Sequence, residues 1–196
     1  MALLLLALTV FSMWILPGIP QVQHWDQLAV DFFARHRTSI GITIFRALSA
    51  IGGTWAFLIA LFFPAILYFR RRRWALGIYY LAGMGLLKLS VSLWKHLISR
   101  PRPEGGLEIT TSFSMPSGHA ANAVLIFGML GIVCLKASNP FGRWLGFTVC
   151  LALVFLIGFS RVYLGVHYPS DVLLGSLYAA SGLWLLQFFR KDMFNL

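Results

Sequence analysis

Acidic residues are scarce in this sequence. Only 6 of its 196 residues are Asp or Glu, against 16 Lys and Arg, and charged residues of both signs make up 11% of the chain, where soluble domains average about 25%. That balance excludes an ordinary cytosolic globule. It also leaves no carboxylate cluster of the kind that binds a hard divalent cation. Cysteine is almost absent. Cys134 and Cys150 are the 2 present, both inside apolar runs and without paired spacing, which excludes a disulfide framework or a zinc site and reads as two buried structural thiols. The first apolar run has neither the basic leader nor the small-residue cleavage site of a secretory signal, so it reads as a retained helix. No internal repeat, low-complexity tract or linker is found, and a single membrane-embedded domain over 1–196 is expected.

Apolar sequence is what the chain has in abundance. Hydrophobic residues make up 59%, and the mean hydropathy is +0.78. Runs with few charges lie at 2–17, 50–69, 74–99, 118–136, 143–160 and 170–189, and a chain of this length has room for about six helices of roughly 20 residues. The expected fold is all-α, an integral membrane bundle of six transmembrane helices with a short amphipathic surface segment. That segment lies between the first two runs, where Leu28, Phe32 and Phe33 recur at helical spacing beside Asp31, Arg35 and Arg37. Gly52 and Gly53 mark a break before the second span. The net charge of +10 is read as setting topology, not as a nucleic-acid surface. Arg70–Arg73, Lys136 with Arg143, and Arg190 with Lys191 fall in alternate connections, and the positive-inside rule makes that side cytoplasmic. Residues 18–49, 100–117 and 161–169 are then expected on the outer side.

Three polar stretches meet at that outer edge: "KHLISRPRP" at 95–103, "PSGH" at 116–119 and "SRVYLGVHYPSD" at 160–171. Ionisable groups near lipid are costly and point to a function. Lys95, Arg102 and Arg161 supply three cations, a set suited to the oxygens of a phosphate and to the charge that shifts in phosphoryl transfer. Pro116 and Pro169 stand where helices could begin, so free amides near Ser117 and Gly118 add anion donors, and Gly118 permits close backbone approach. His119 and His167 titrate near neutral pH. His167 and Asp171 are four residues apart. In a helical first turn they share a face, the carboxylate holding one imidazole nitrogen and leaving the other free to attack phosphorus. The cations take the place of a metal, so no cofactor is expected.

These stretches resemble the three-part signature of the type 2 phosphatidic acid phosphatase superfamily, K-x6-RP, then PSGH, then SR-x5-H-x3-D. Lys95, Arg102 and Pro103 match the first part; Arg100-Pro101 is a second such pair, two residues too near Lys95. Pro116, Ser117, Gly118 and His119 match the second, and Ser160, Arg161, His167 and Asp171 the third. The chain resembles compact bacterial members, phosphatidylglycerophosphatase B-like enzymes among them. The resemblance implies a lipid phosphatase of the bacterial inner membrane with its site facing the periplasm, acting on phosphatidic acid, phosphatidylglycerol phosphate or undecaprenyl diphosphate. It further implies His167 as nucleophile forming a phosphohistidine, Asp171 as its orienter, His119 as general acid and then base, and Lys95, Arg102, Ser117, Gly118 and Arg161 as phosphate-binding groups.

Simpler roles are kept for other residues. Arg100 reads as a span-end arginine snorkelling to head groups, and His24, His36 and His96 as hydrogen-bonded structural histidines. Lys88, seven residues before Lys95, is either at the floor of the substrate cavity or in a structural polar contact. Asp171 could also cap the last span. Trp74, Trp94, Trp144 and Trp184 suit interfacial anchoring. Two other functions remain open: a phosphotransferase drawing on a lipid diphosphate, and a nonenzymatic lipid-binding or transport protein. The lipid phosphate and the bilayer are the expected partners, with no nucleic acid.

Overall fold

Proline and short polar side chains set where the helices start. The computed structural model describes residues 1–108 and 110–194, and among these every regular element is helical. Helix α1 covers Ala2–Ile15 and passes through a 3-10 turn, Leu16–Gly18, into α2, Pro20–His36, which has proline in its first turn. Thr38 opens α3, Ser39–Ile51, its hydroxyl accepting from the Gly41 N–H at 3.1 Å. Gly52 and Gly53 separate α3 from α4, Thr54–Arg70, and α5 is Trp74–Ile98. After a long outer loop comes α6, Gly118–Cys134, with a π-helical stretch at Val124–Gly128. Asn139 caps α7, Pro140–Tyr163, by accepting from the Phe141 N–H at 3.1 Å, and α8 is Pro169–Phe194.

Of the six spans expected, length and composition single out four directly. Among the described residues four helical stretches are long and apolar enough to cross a membrane: 39–70, 74–98, 140–163 and 169–190. A fifth is reached only if α1 and α2 are one broken span, and they are bent by 79°. Helix α6 is apolar but shorter, at the lower end of the lengths that cross a bilayer. α6 is lined by α5, α7 and α8, with Ala120–Leu125 buried, so its neighbours, not lipid, surround much of its length. The amphipathic segment is also shorter than expected. It is α2 alone, because α3 continues through the glycine break into α4 as a 32-residue apolar path.

The main core joins Met13, Phe57, Leu61, Met84, Val91, Leu125, Leu174 and Tyr178 across α1, α4, α5, α6 and α8. A second cluster clamps the outer loops: Phe33 and Phe45 pack on Phe159 and Tyr163 with ring centroids 4.4–5.8 Å apart, and the Tyr163 hydroxyl accepts from the Thr38 N–H at 3.0 Å. These contacts hold α2 and α3 against the end of α7, where the polar motifs gather. Cys150 is buried and Cys134 half-buried, both as free thiols. Trp74, Trp144 and Trp184 are exposed as expected of anchors, whereas Trp94 packs against the main core. The Lys191 side chain lies outside those described.

Candidate active site

The third polar stretch is a helix end, a tight turn and a helix start. The chain leaves α7 with the amides of Val166 and His167 both returned to the Arg161 carbonyl, at 3.1 and 3.3 Å. Gly165 takes φ +69 in that turn, a conformation that favours glycine. Helix α8 then starts at Pro169, and Asp171 Oδ2 accepts from the Tyr168 N–H at 2.9 Å, the reach-back of a capping box. The same oxygen lies 3.4 Å from His167 Nδ1. Asp171 therefore caps the helix and faces the imidazole at once. Nδ1 takes no closer hydrogen-bond partner among the described residues.

His167 is 2% exposed and Asp171 fully buried. Burial pushes the His167 imidazole down to about 4, with Asp171 drawing it partly back up and Lys95 and Arg102 opposing that pull. Burial thus favours the uncharged ring. Its other nitrogen, Nε2, is 3.4 Å from Arg102 Nη1.

The cations close around this ring. Arg102 donates to the Val166 and Ser112 carbonyls, each at 2.7 Å, and to Ser112 Oγ at 3.0 Å. Burial, then the charge of Arg161, lowers its pKa below the ordinary guanidinium value, though an arginine stays charged at any physiological pH. Arg161 is 1% exposed and donates from Nη1 to Ser49 Oγ. Its fork also grips Glu108, with Nη2 to Oε2 at 2.7 Å and Nη1 to Oε1 at 3.1 Å. Lys95 Nζ ties the approach to α6 by donating to the Phe113 and Ser114 carbonyls at 2.7 and 3.2 Å.

Helix α6 begins at Gly118, with Ser117 as its cap and Pro116 one residue outside, so Pro116 does not itself start the helix as expected. The Ser117 hydroxyl accepts from the Ala120 N–H at 3.4 Å, and the Ser117 N–H donates to the Asp171 carbonyl at 3.0 Å. The two helix starts are thus joined directly. His119, half-buried in the first turn, faces the glycine break: a Cβ on Gly53 would stand 3.9 Å from its Nε2, and one on Gly52 3.2 Å from its carbonyl.

Residues 76–193 match the PAP2 superfamily. The chain belongs to that superfamily. It is 34% identical over 133 residues to phosphatidylglycerophosphatase B of Bacillus subtilis (strain 168), a stretch covering 66% of this chain and 62% of that protein. It is 35% identical over 82 residues to the lipid A 4'-phosphatase of Bacteroides thetaiotaomicron, covering 41% of this chain and 33% of that one. The matched stretches thus span less than two thirds of either relative. The solved structure of a transmembrane PAP2 type phosphatidylglycerolphosphate phosphatase from Bacillus subtilis superposes with a TM-score of 0.83 at 26% identity, covering 96% of this chain and 95% of that one. This PAP2 chain is therefore an integral membrane helical bundle.

In this PAP2 chain the eight residues singled out from the sequence lie at one end of the bundle. Lys88 is in a structural polar contact, donating to Asn122 Oδ1 at 2.9 Å, while Asn122 Nδ2 holds the Gly52 carbonyl at 3.0 Å. His36 and His96 each bond through Nδ1 to a backbone carbonyl one helical turn back, at 2.7 and 2.8 Å, and the His24 ring packs edge-on to Trp25. Arg100 is a correction. It does not snorkel: its side chain is 9% exposed and pairs with Asp171 at 2.6 Å and Asp26 at 2.7 Å. Opposite charge raises its pKa despite burial.

Sequence reasoning also missed Asp26, Glu108 and Gly175. The scarcity of acids was the available signal for the first two, since three of the six, counting Asp171, sit on arginines of the site. Gly175 had no signal. A Cβ there would come within 2.8 Å of the Ser117 carbonyl and 3.0 Å of its nitrogen, both backbone atoms that cannot swing aside. Gly175→Ala is expected to push the start of α6 off α8, costing about 1–3 kcal/mol and most of the phosphate release. Thermal unfolding in detergent and a phosphate assay check it; unchanged activity would mean that the α6–α8 contact does not hold the site together.

Proposed function

We propose that this protein is a membrane lipid phosphatase that releases a terminal phosphate through a phosphohistidine on His167, in a single domain whose site opens on the outer, periplasmic face of a bacterial inner membrane. The observation that carries the reading is a buried imidazole backed on Nδ1 by Asp171 and flanked on Nε2 by Arg102. In the first step Nε2 forms a bond to phosphorus while the bond to the lipid oxygen breaks, and His119 gives that oxygen its proton. In the second, His119 takes a proton from water, whose oxygen attacks phosphorus and frees Nε2. Arg102, Arg161 and Lys95, with the amides at Ser117 and Gly118, hold the phosphate oxygens. The names of the relatives agree with a phosphate-bearing lipid as substrate.

The test is a phosphate-release panel over phosphatidic acid, lysophosphatidic acid, phosphatidylglycerol phosphate and undecaprenyl diphosphate. Release of free phosphate supports hydrolysis, release only with an added acceptor supports a transferase, and no turnover supports a binding or transport protein.

Sidedness has its own support. Cations at the site end are engaged by protein: Arg37 holds the Tyr163 and Gly105 carbonyls at 2.9 and 3.1 Å and Arg46 the Leu107 carbonyl at 3.2 Å. Arg70–Arg73 at the far end are largely exposed, free to set topology. With Cys134 and Cys150 replaced first, Glu104→Cys is expected to react with an impermeant thiol reagent outside intact cells and Arg71→Cys to be spared. The reverse pattern would put the site in the cytoplasm.

A further inference from the structure

Behind Asp171 lies a buried ion cluster that the reaction steps above do not use. Asp26, on α2, is 3% exposed. It accepts from the Ser170 N–H at 3.0 Å and from the Ser170 hydroxyl, and pairs with Arg100 Nη2 at 2.7 Å. Arg100 Nη1 in turn holds Asp171 Oδ1 at 2.6 Å and Ser170 Oγ at 2.8 Å, and the guanidinium lies over the Tyr168 ring, 4.2 Å from its centroid. Asp171 thus meets a cation through one oxygen and His167 through the other.

Charge counting gives Asp26 a purpose. Arg100 and Asp171 alone would cancel, leaving the carboxylate little field with which to support a positive ring. Asp26 adds a second negative charge, so the cluster of three carries one net negative charge next to His167. A carboxylate is also a costly way to dock a helix, since taking an ion out of water costs several kcal/mol and an apolar residue would serve packing as well.

We propose that Asp26 is a positioning residue for phosphoryl transfer: by engaging Arg100 it keeps Asp171 free to support the positive charge His167 acquires as its bond to phosphorus forms. The proposal rests on the phosphohistidine reading given above. When Nε2 donates its electron pair to phosphorus and the departing electrons go to the lipid oxygen, the ring still carries its proton on Nδ1 and becomes cationic. Asp171 Oδ2 is the group that faces that proton. Asp26→Asn leaves Arg100 and Asp171 to neutralise each other, without touching the groups that grip phosphate.

The experiment measures kcat and KM for phosphate release from dioleoyl phosphatidic acid in detergent micelles, for the full chain and for Asp26→Asn, Arg100→Gln and the double variant. Asp26→Asn is expected to lower kcat by about tenfold or more, with KM within about twofold. Adding Arg100→Gln to Asp26→Asn is expected to raise kcat again, because Asp171 alone restores one net negative charge. A role confined to docking α2 predicts the opposite, a double variant worse than either single one. An unchanged kcat in Asp26→Asn, or a double variant no better than Asp26→Asn, overturns the proposal. Should the double variant not elute as a folded species, Asp26→Glu decides: it keeps the charge, so kcat within about threefold of the parent supports the proposal and a loss equal to that of Asn overturns it. A parent chain that releases no phosphate from any lipid of the panel removes the phosphatase reading, and the proposal with it.

Discussion

His167→Asn is expected to lower phosphate release by about 10⁴-fold or more while the protein still folds. The asparagine amide can fill most of the imidazole's place and still donate toward Asp171, so the buried turn between α7 and α8 loses little. What it lacks is a nucleophilic nitrogen. His167 offers one, and burial, which lowers its pKa, favours the ring with that lone pair bare before substrate arrives. Asp171, 3.4 Å from Nδ1, fixes which nitrogen stays bare. Two measurements check the expectation: inorganic phosphate released from phosphatidic acid, and an acid-labile, alkali-stable label on the protein after brief exposure to radiolabelled lipid phosphate. Both should vanish in the variant, with an unchanged helical circular dichroism spectrum. Release within about tenfold of the parent would remove His167 from the nucleophile's role.

The next largest effect is expected at Arg161, where Arg161→Lys should reduce kcat/KM by about 10²–10³-fold and weaken competitive inhibition by vanadate to a similar degree. Arg161 is the largest fully buried side chain of the molecule's described part, and its planar fork grips both oxygens of Glu108. A phosphate or vanadate presents a matching pair of oxygens, and a lysine ammonium cannot reproduce a two-point grip. Glu108 presents its two carboxylate oxygens to the same fork. Its side chain is 29% exposed, so displacing it into water costs little. Glu108→Gln should therefore tighten vanadate inhibition several-fold, because a neutral amide competes less well for Arg161. Excess chelator should leave all these rates unchanged, since Lys95, Arg102 and Arg161 supply the positive charge. Full activity in Arg161→Lys, or weaker vanadate binding in Glu108→Gln, would contradict this arrangement.

Much of this was legible in the chain itself. Helical class and membrane character follow from local properties: long apolar runs, few charges, and proline or short polar caps at Pro20, Thr38, Asn139 and Pro169. The pairing of His167 with Asp171 was legible too, because an acid in the first turn of a helix reaches back toward the residues just before it. Likewise the shared end of the three motifs follows from the alternation of helix direction.

Tertiary structure alone decided the rest. That α6 is enclosed by α5, α7 and α8 depends on how whole helices pack, and a hydropathy pattern cannot distinguish a neighbouring side chain from a lipid tail. Arg100 looks in sequence like any span-end arginine. It is buried because α2 folds back through a 79° bend and brings Asp26, 74 residues away, onto it. Glu108 and Gly175 owe their places to partners 53 and 58 residues distant along the chain, Arg161 and Ser117. Pairings of that range are set by how whole helices pack, and helix packing is governed by the summed fit of many side chains rather than by any local signal.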